Sequence, residues 1–434
     1  MQIDTGGVEI PGRAVLDENG IRIGYTQTAD GQDVITCHIS IVDQQGGNNH
    51  TEDAPSVESK AIIHVRGNSS RHFDKPNYSL HLITEEDKNN SQEVMGMDAH
   101  HEWILHGPFL DKTLLRNYMW YNIGGEIMDY APNVRFCEVM LNGEYQGVYV
   151  MMESITAGQN GARLELSVDR KDNTFTGYLL RLDRGSTTEI KNINHFSKYT
   201  YRANTMLNIV YPGTSNLTPE IAEEICQDFS AFEKALYSYD YDNQKYGYQD
   251  NIDMDSFVDY FILNEFTSNH DAGIYSTYVY KDLDGKLKMC IWDFNNACDN
   301  YQEAPVDPQG FVMQNSTWFD MLIKDEDFID AILKRYRQLR KTWLNEAYLD
   351  AYIDDVIAYL GPAIERNYEK WGYSFTEGRI WLYPKDRNPE NYADAITDLK
   401  RFLHLRGRWL DENIETLRQY SAESKVKKFN ENPN

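Results

Sequence analysis

The chain has 434 residues, more than one ordinary core supports, so two lobes are expected. Hydrophobic residues at 41% and aromatics at 13% suffice for packed interiors and exclude a disordered chain. With 68 acidic against 42 basic side chains the formal charge is −26, which disfavours nucleic-acid backbones, since those need clustered lysine and arginine.

In chain order, "MQIDTGGVEIPGR" carries neither a basic region nor an apolar core, so no signal peptide is expected within it. "QDVITCHISIVD" (32–43) alternates apolar and polar residues as a half-buried strand does. Further strands are expected at "KAIIHVRGNSS" (60–70), "NYSLHLI" (77–83) and "HEWILHGPF" (101–109). "DKTLLRNYMWYNIGGEIMDY" (111–130) has helical spacing, with Asp111 placed to cap it. "VRFCEVMLNGEYQGVYVMMESI" (134–155) reads as a hairpin, because Asn142-Gly143 suits a type I′ turn. A strand follows at "GYLLRLDR" (177–184), then a helix opened by Pro219 over 219–238. A second hairpin is expected over 275–294, turning at Asp284-Gly285, and beyond residue 255 helices dominate. No apolar run reaches eighteen residues, so no membrane span is expected. The five cysteines are scattered and fit neither a disulfide framework nor a zinc motif. "DAHHEW" is set aside as a metal motif, since adjacent residues of a strand face opposite ways. The whole reads as an α+β protein.

The densest polar constellation runs from 264 to 293. A helix ends in "TSNHDAG", and the hairpin after it returns to Asp293, with Ser276 expected to face that residue. Two carboxylates, Asp271 and Asp293, thus become neighbours. Such a pair can hold a divalent ion, act as an acid and a base, or simply bond loop amides. Arg66 in "HVRGNSSR" and Lys75 in "FDKPNYSLHL" supply cations beside a turn rich in backbone donors, though solvated bases on an exposed turn would look the same. Arg116 within a helix and Glu153 at a strand end fit a buried ion pair or a ligand contact.

"RGNSSRHFDKPNYSLHL", "DKTLLRNYMWYNIG", "VMLNGEYQGVYVMMESI", the block from "FILNEFTSNHDAG" to "IWDF" and the tail "RYRQLRKTWL…RGRWL" together resemble the spore-coat CotH kinase family of atypical protein kinases. The resemblance implies a two-lobe, protein-kinase-like fold. A β-rich N-terminal region and small lobe would cover 1–155, a mainly helical large lobe 156–425, and a polar tail 426–434. It implies ATP with Mg2+ or Mn2+, a protein Ser/Thr substrate, and a location outside the cytoplasm, at a cell envelope or spore surface. Asp271 matches the family's catalytic aspartate and Asp293 its metal-binding one. Arg66, Lys75 and Glu153 fall where nucleotide contacts are expected.

Two departures stand out. Ser276 replaces the usual asparagine among the metal ligands, and Asn295 replaces a second acid after Trp-Asp. Both remain oxygen donors, but the second removes a charge, so weaker metal binding is expected. The alternative is a catalytically weakened kinase-like scaffold whose many tyrosines bind envelope protein or glycan. A hydrolase using the two aspartates as acid and base is a third reading, which the resemblance does not support.

Overall fold

The computed structural model describes residues 1–44, 47–159, 161–169, 175–185, 189–201, 205–377 and 381–424. The expected tail at 426–434 lies outside them. The chain forms two compact units. One comprises Met1–Asn122, Pro132–Ser154 and Ile353–Ile396; the other comprises Ile123–Ala131, Ile155–Tyr352 and Thr397–Asn434.

The first unit is built on a closed barrel of seven strands: β1 (Gln2–Asp4), β2 (Ile35–Ile41), β3 (Val57–Arg66), β4 (Asn77–Ile83), β5 (Glu102–His106), β6 (Val134–Leu141) and β7 (Glu144–Glu153). They run in the order β1-β6-β7-β5-β4-β3-β2, and β1 closes the ring by pairing with β2. All neighbours are antiparallel except β1 and β6. The expected alternation explains the filling, since Cys37, Ile39, Ile41, Ala61, Ile63, Val65, Leu80 and Leu82 all point into one core. The β6–β7 hairpin turns at Asn142 and Gly143, with φ of 50° and 79°, as a type I′ turn demands.

The second unit carries a five-stranded sheet of β8 (Tyr178–Asp183), β9 (Asn192–Ile193), β10 (Met206–Tyr211), β11 (Thr277–Lys281) and β12 (Lys288–Cys290), ordered β9-β10-β8-β11-β12. Nine α-helices occur among the described residues: α1 (Arg116–Gly125), α2 (Ser197–Tyr201), α3 (Pro219–Leu236), α4 (Met254–Phe266), α5 (Phe319–Leu322), α6 (Glu326–Leu339), α7 (Glu346–Leu360), α8 (Pro362–Trp371) and α9 (Tyr392–Asn413). Pro219 opens α3 as expected, behind a Thr218 cap. Aromatic side chains of α3, α4, α5 and α6 form one interior; Phe319 packs on Phe257, Tyr260, Phe261 and Phe328.

One expectation needs correction. The first helix begins at Arg116, not at 112, because Leu114 adopts a left-handed φ of 67° that no helix carries. Asp111 instead binds the amides of Thr113 and Arg116 and pairs with the Arg116 guanidinium at 2.6 Å. Strands also occur past residue 155, where one was expected at 177–184 and a hairpin at 275–294, in a five-stranded sheet that reaches Cys290. The mixed α+β class holds, with a closed barrel as its most regular part.

Candidate active site

The site of the second unit starts from α4. Asp253 caps its N-terminus by accepting from the Ser256 amide, and every residue from Ser256 to Phe266 is buried. It is thus buried on every side, with Asp259, Asn264 and Glu265 buried among its apolar residues. Thr267 ends it, and Ser268, at φ 48°, turns the chain back.

Buried Asn269 then ties three pieces together. Its amide N–H donates to the Asn264 carbonyl at 3.0 Å, and its Nδ2 donates to Asn264 Oδ1 and to the Asp293 carbonyl, both at 3.1 Å. The Asp271 carbonyl accepts from the amides of Ile274 and Tyr275, which coils the loop. Gly273 is required there: its φ is 76°, and a Cβ would meet that of Ser316 at 2.5 Å.

The returning hairpin differs from expectation by one position. Tyr278 pairs with Cys290, and the ladder stops there, so extending it would set Ser276 opposite Trp292 instead of Asp293. Ser276 and Asp293 both have left-handed backbones, with φ of 51° and 62°, which a strand cannot continue. Asp293 nevertheless reaches the loop, because Asn269 holds its carbonyl.

The Asp271 carboxylate accepts from Asn296 Nδ2 at 2.8 Å. Asn295 Nδ2 donates to Asn296 Oδ1 at 3.2 Å, while Asn300 holds the Asn295 carbonyl at 2.7 Å. The Cys298 amide bonds the Thr267 carbonyl, fastening this turn to the end of α4. Partial burial lifts the Asp271 carboxyl above the ordinary aspartate range, against the Asn296 hydrogen bond and the Arg184 charge. Burial pushes the neighbouring His270 imidazole down.

Sequence reasoning passed over Arg184, Asp183 and Asn296. Arg184 follows β8, with its guanidinium carbon 3.5 Å from the centre of the Tyr275 ring. Its only signal was a strand ending in Asp-Arg. Asn296 stood beside Asn295 without any mark of its partner, Asp271.

Asp271, Ser276, Asp293 and Asn295 therefore share one loop cluster of the second unit, whereas Arg66, Lys75 and Glu153 belong to the first. Arg66 ends β3 opposite Asn77. Lys75 is wholly buried; its Nζ donates to the Val148 carbonyl at 2.5 Å and to Asn367 Oδ1 at 2.8 Å. Burial, with the nearby Lys112 charge, holds its pKa well below the usual lysine value. Glu153 is also buried, and its Oε2 accepts from the Asn133 amide at 2.9 Å.

The side chains of Asp271, Ser276, Asp293 and Asn295 offer only oxygen ligands: two carboxylates, a hydroxyl and an amide carbonyl. Beside them, Asn269 Oδ1 is buried and has no hydrogen-bond partner among the described residues. An oxygen-only set fits a hard divalent cation such as Mg2+ or Mn2+ and does not fit a thiophilic one.

A family model described as CotH kinase protein matches residues 63–410, most of the chain. No curated protein matches it.

Proposed function

Starting from this chain's membership of the CotH kinase family, we propose that it is an ATP-dependent protein kinase that phosphorylates Ser or Thr of a protein substrate. The observation that carries the reading is the double clamp in which Asn269 holds Asp293 and Asn296 holds Asp271. In this reading the barrel unit takes the part of a small lobe and the sheet-and-helix unit that of a large lobe.

Asp271 accepts the proton of the attacking hydroxyl. Its raised pKa makes it a stronger base than an exposed aspartate, while Asn296 fixes the direction of its lone pairs. Asp293, with Ser276 and Asn295, would hold the divalent ion. When bound, that ion neutralises the charge of the transferring phosphates. Arg184, beside the loop, is suited to meet a phosphate oxygen. Lys75 and Glu153 act in their own unit by holding backbone in place.

One observation favours a weakened scaffold instead: Asn295 and Asn296 are neutral and bonded to each other where a second acid would strengthen the ion site. Calorimetry with ATP and Mn2+ separates the two. The kinase reading predicts saturable binding that weakens at least tenfold in Asp293→Asn; absence of nucleotide binding by the unaltered protein supports the scaffold.

A further inference from the structure

On β4, Tyr78, Leu80 and Leu82 face the barrel core, so His81 faces outward. Its antiparallel partner on β5 is Glu102, directly opposite and on the same side. His101 precedes Glu102, and its ring centre lies 5.0 Å from that of His81. His100 turns inward, buried, with Nδ1 accepting from the Glu102 amide. The adjacent histidines of "DAHHEW" do not part from one another, since their rings stack with centres 4.5 Å apart, and His101 also meets a histidine from a different strand.

We propose that His81, His101 and Glu102 form a binding site for one divalent transition ion of the zinc class on the outer face of the barrel. A ligand atom from each lies within 4.8 Å of the others. A tetrahedral ion with bonds of about 2.0–2.1 Å needs its donors roughly 3.4 Å apart, so modest side-chain rotation closes the set. Two imidazoles and one carboxylate are borderline donors that select zinc-like ions over Mg2+.

The surroundings are those of a ligand set. Asn89 Oδ1 lies 2.8 Å from His81 Nε2 and Asn89 Nδ2 lies 3.1 Å from His101 Nε2, while Ser91 Oγ lies 3.2 Å from His101 Nδ1, so Asn89 orients both rings and an ion on His101 takes the place of one of these bonds. With Asn89 accepting from the Nε2–H of His81, Nδ1 carries a lone pair, and it points at Glu102 Oε1, 4.0 Å away. A cation between these two atoms would bind both. The His81 and Glu102 side chains are 33% and 44% exposed, so an ion can enter. Bound there, it would cross-link β4 to β5 and tie down the segment carrying Asn89 and Ser91. The proposal does not rest on the kinase reading.

The test is titration of the full chain with Zn2+ by calorimetry, without nucleotide or Mg2+, alongside His81→Ala, His101→Ala and Glu102→Gln. Circular dichroism in chelator confirms that each variant is folded. The expected result is one Zn2+ per chain, affinity at least tenfold weaker in each histidine variant, and a Zn2+-dependent rise in melting temperature only in the unaltered protein. Glu102→Gln keeps the shape of the side chain and guards against loss of fold. Absence of saturable Zn2+ binding, or binding unchanged in the histidine variants, would overturn the site.

Discussion

Asn296 donates its side-chain amide to the carboxylate of Asp271 at 2.8 Å, joining the turn after Asp293 to the loop after α4. A hydrogen bond to a charged acceptor favours the ionised form, so here it opposes the effect of burial. In Asn296→Ala the Asp271 pKa rises further. Phosphoryl transfer near neutral pH should fall about tenfold, as expected for losing a hydrogen bond to a charged group worth about 1.5 kcal/mol. The acid limb of the rate profile should move to higher pH. A rate profile that keeps its acid limb in place would show that Asn296 does not tune Asp271.

Asp271 should also limit stability. Its carboxyl titrates higher in the folded chain than in the unfolded one, so folding favours its protonated form. That contribution is full below the ordinary aspartate range and is lost as pH rises through the folded value. Asp271→Asn, which keeps the shape and removes the charge, should therefore melt higher than the unaltered chain at pH 7. The gap should close as pH falls below about 4. Equal melting points at pH 7 would count against a desolvated carboxylate.

Asn295→Asp restores a second acid at the ion site. Metal-dependent nucleotide affinity should rise several-fold, because Mg2+ and Mn2+ prefer carboxylates to amides. Without metal, the added charge near Asp271 and Asp293 should lower the melting temperature. Calorimetry at fixed ATP and varied Mn2+ reads the first effect, and no change in Mn2+ dependence would remove position 295 from the ligand set.

In the barrel unit, Gly147 sits at the β-bulge of the β6–β7 pair with φ 94°, and a Cβ there would lie 2.5 Å from Asn367 Oδ1. That oxygen accepts from the Val148 amide and from Lys75 Nζ. Gly147→Ala thus combines backbone strain with loss of buried hydrogen bonds. It should destabilise by about 2–4 kcal/mol in urea unfolding. A value near that of a surface substitution, within about 0.5 kcal/mol, would mean that Asn367 simply moves aside.

The parts legible in the sequence are those with local signals. Asn142-Gly143 marked a turn, Pro219 opened a helix, and alternation marked β2. Closure of the barrel was not legible, since β1 is three residues long and pairs with Ser40 and Met140, far away in sequence. Nor was the place of α8, whose Asn367 is joined to Lys75 by a buried bond between residues 292 apart. A lysine also gives no sequence sign that it will be buried. At the site, the neighbourhood of Asp271 and Asp293 could be anticipated from the hairpin. Its means could not, because two left-handed residues end the ladder early and two asparagine side chains make the connection instead.

The most direct measurement is transfer of the γ-phosphoryl group from labelled ATP, in the presence of Mn2+, to the protein itself and to a Ser/Thr-containing protein acceptor. The unaltered chain and Asp271→Asn are compared at matched folding. The account predicts transfer by the unaltered chain and a loss of about 10²–10⁴-fold in the variant, the range for a positioned general base. Transfer undiminished in Asp271→Asn, or none from the unaltered chain, would contradict it.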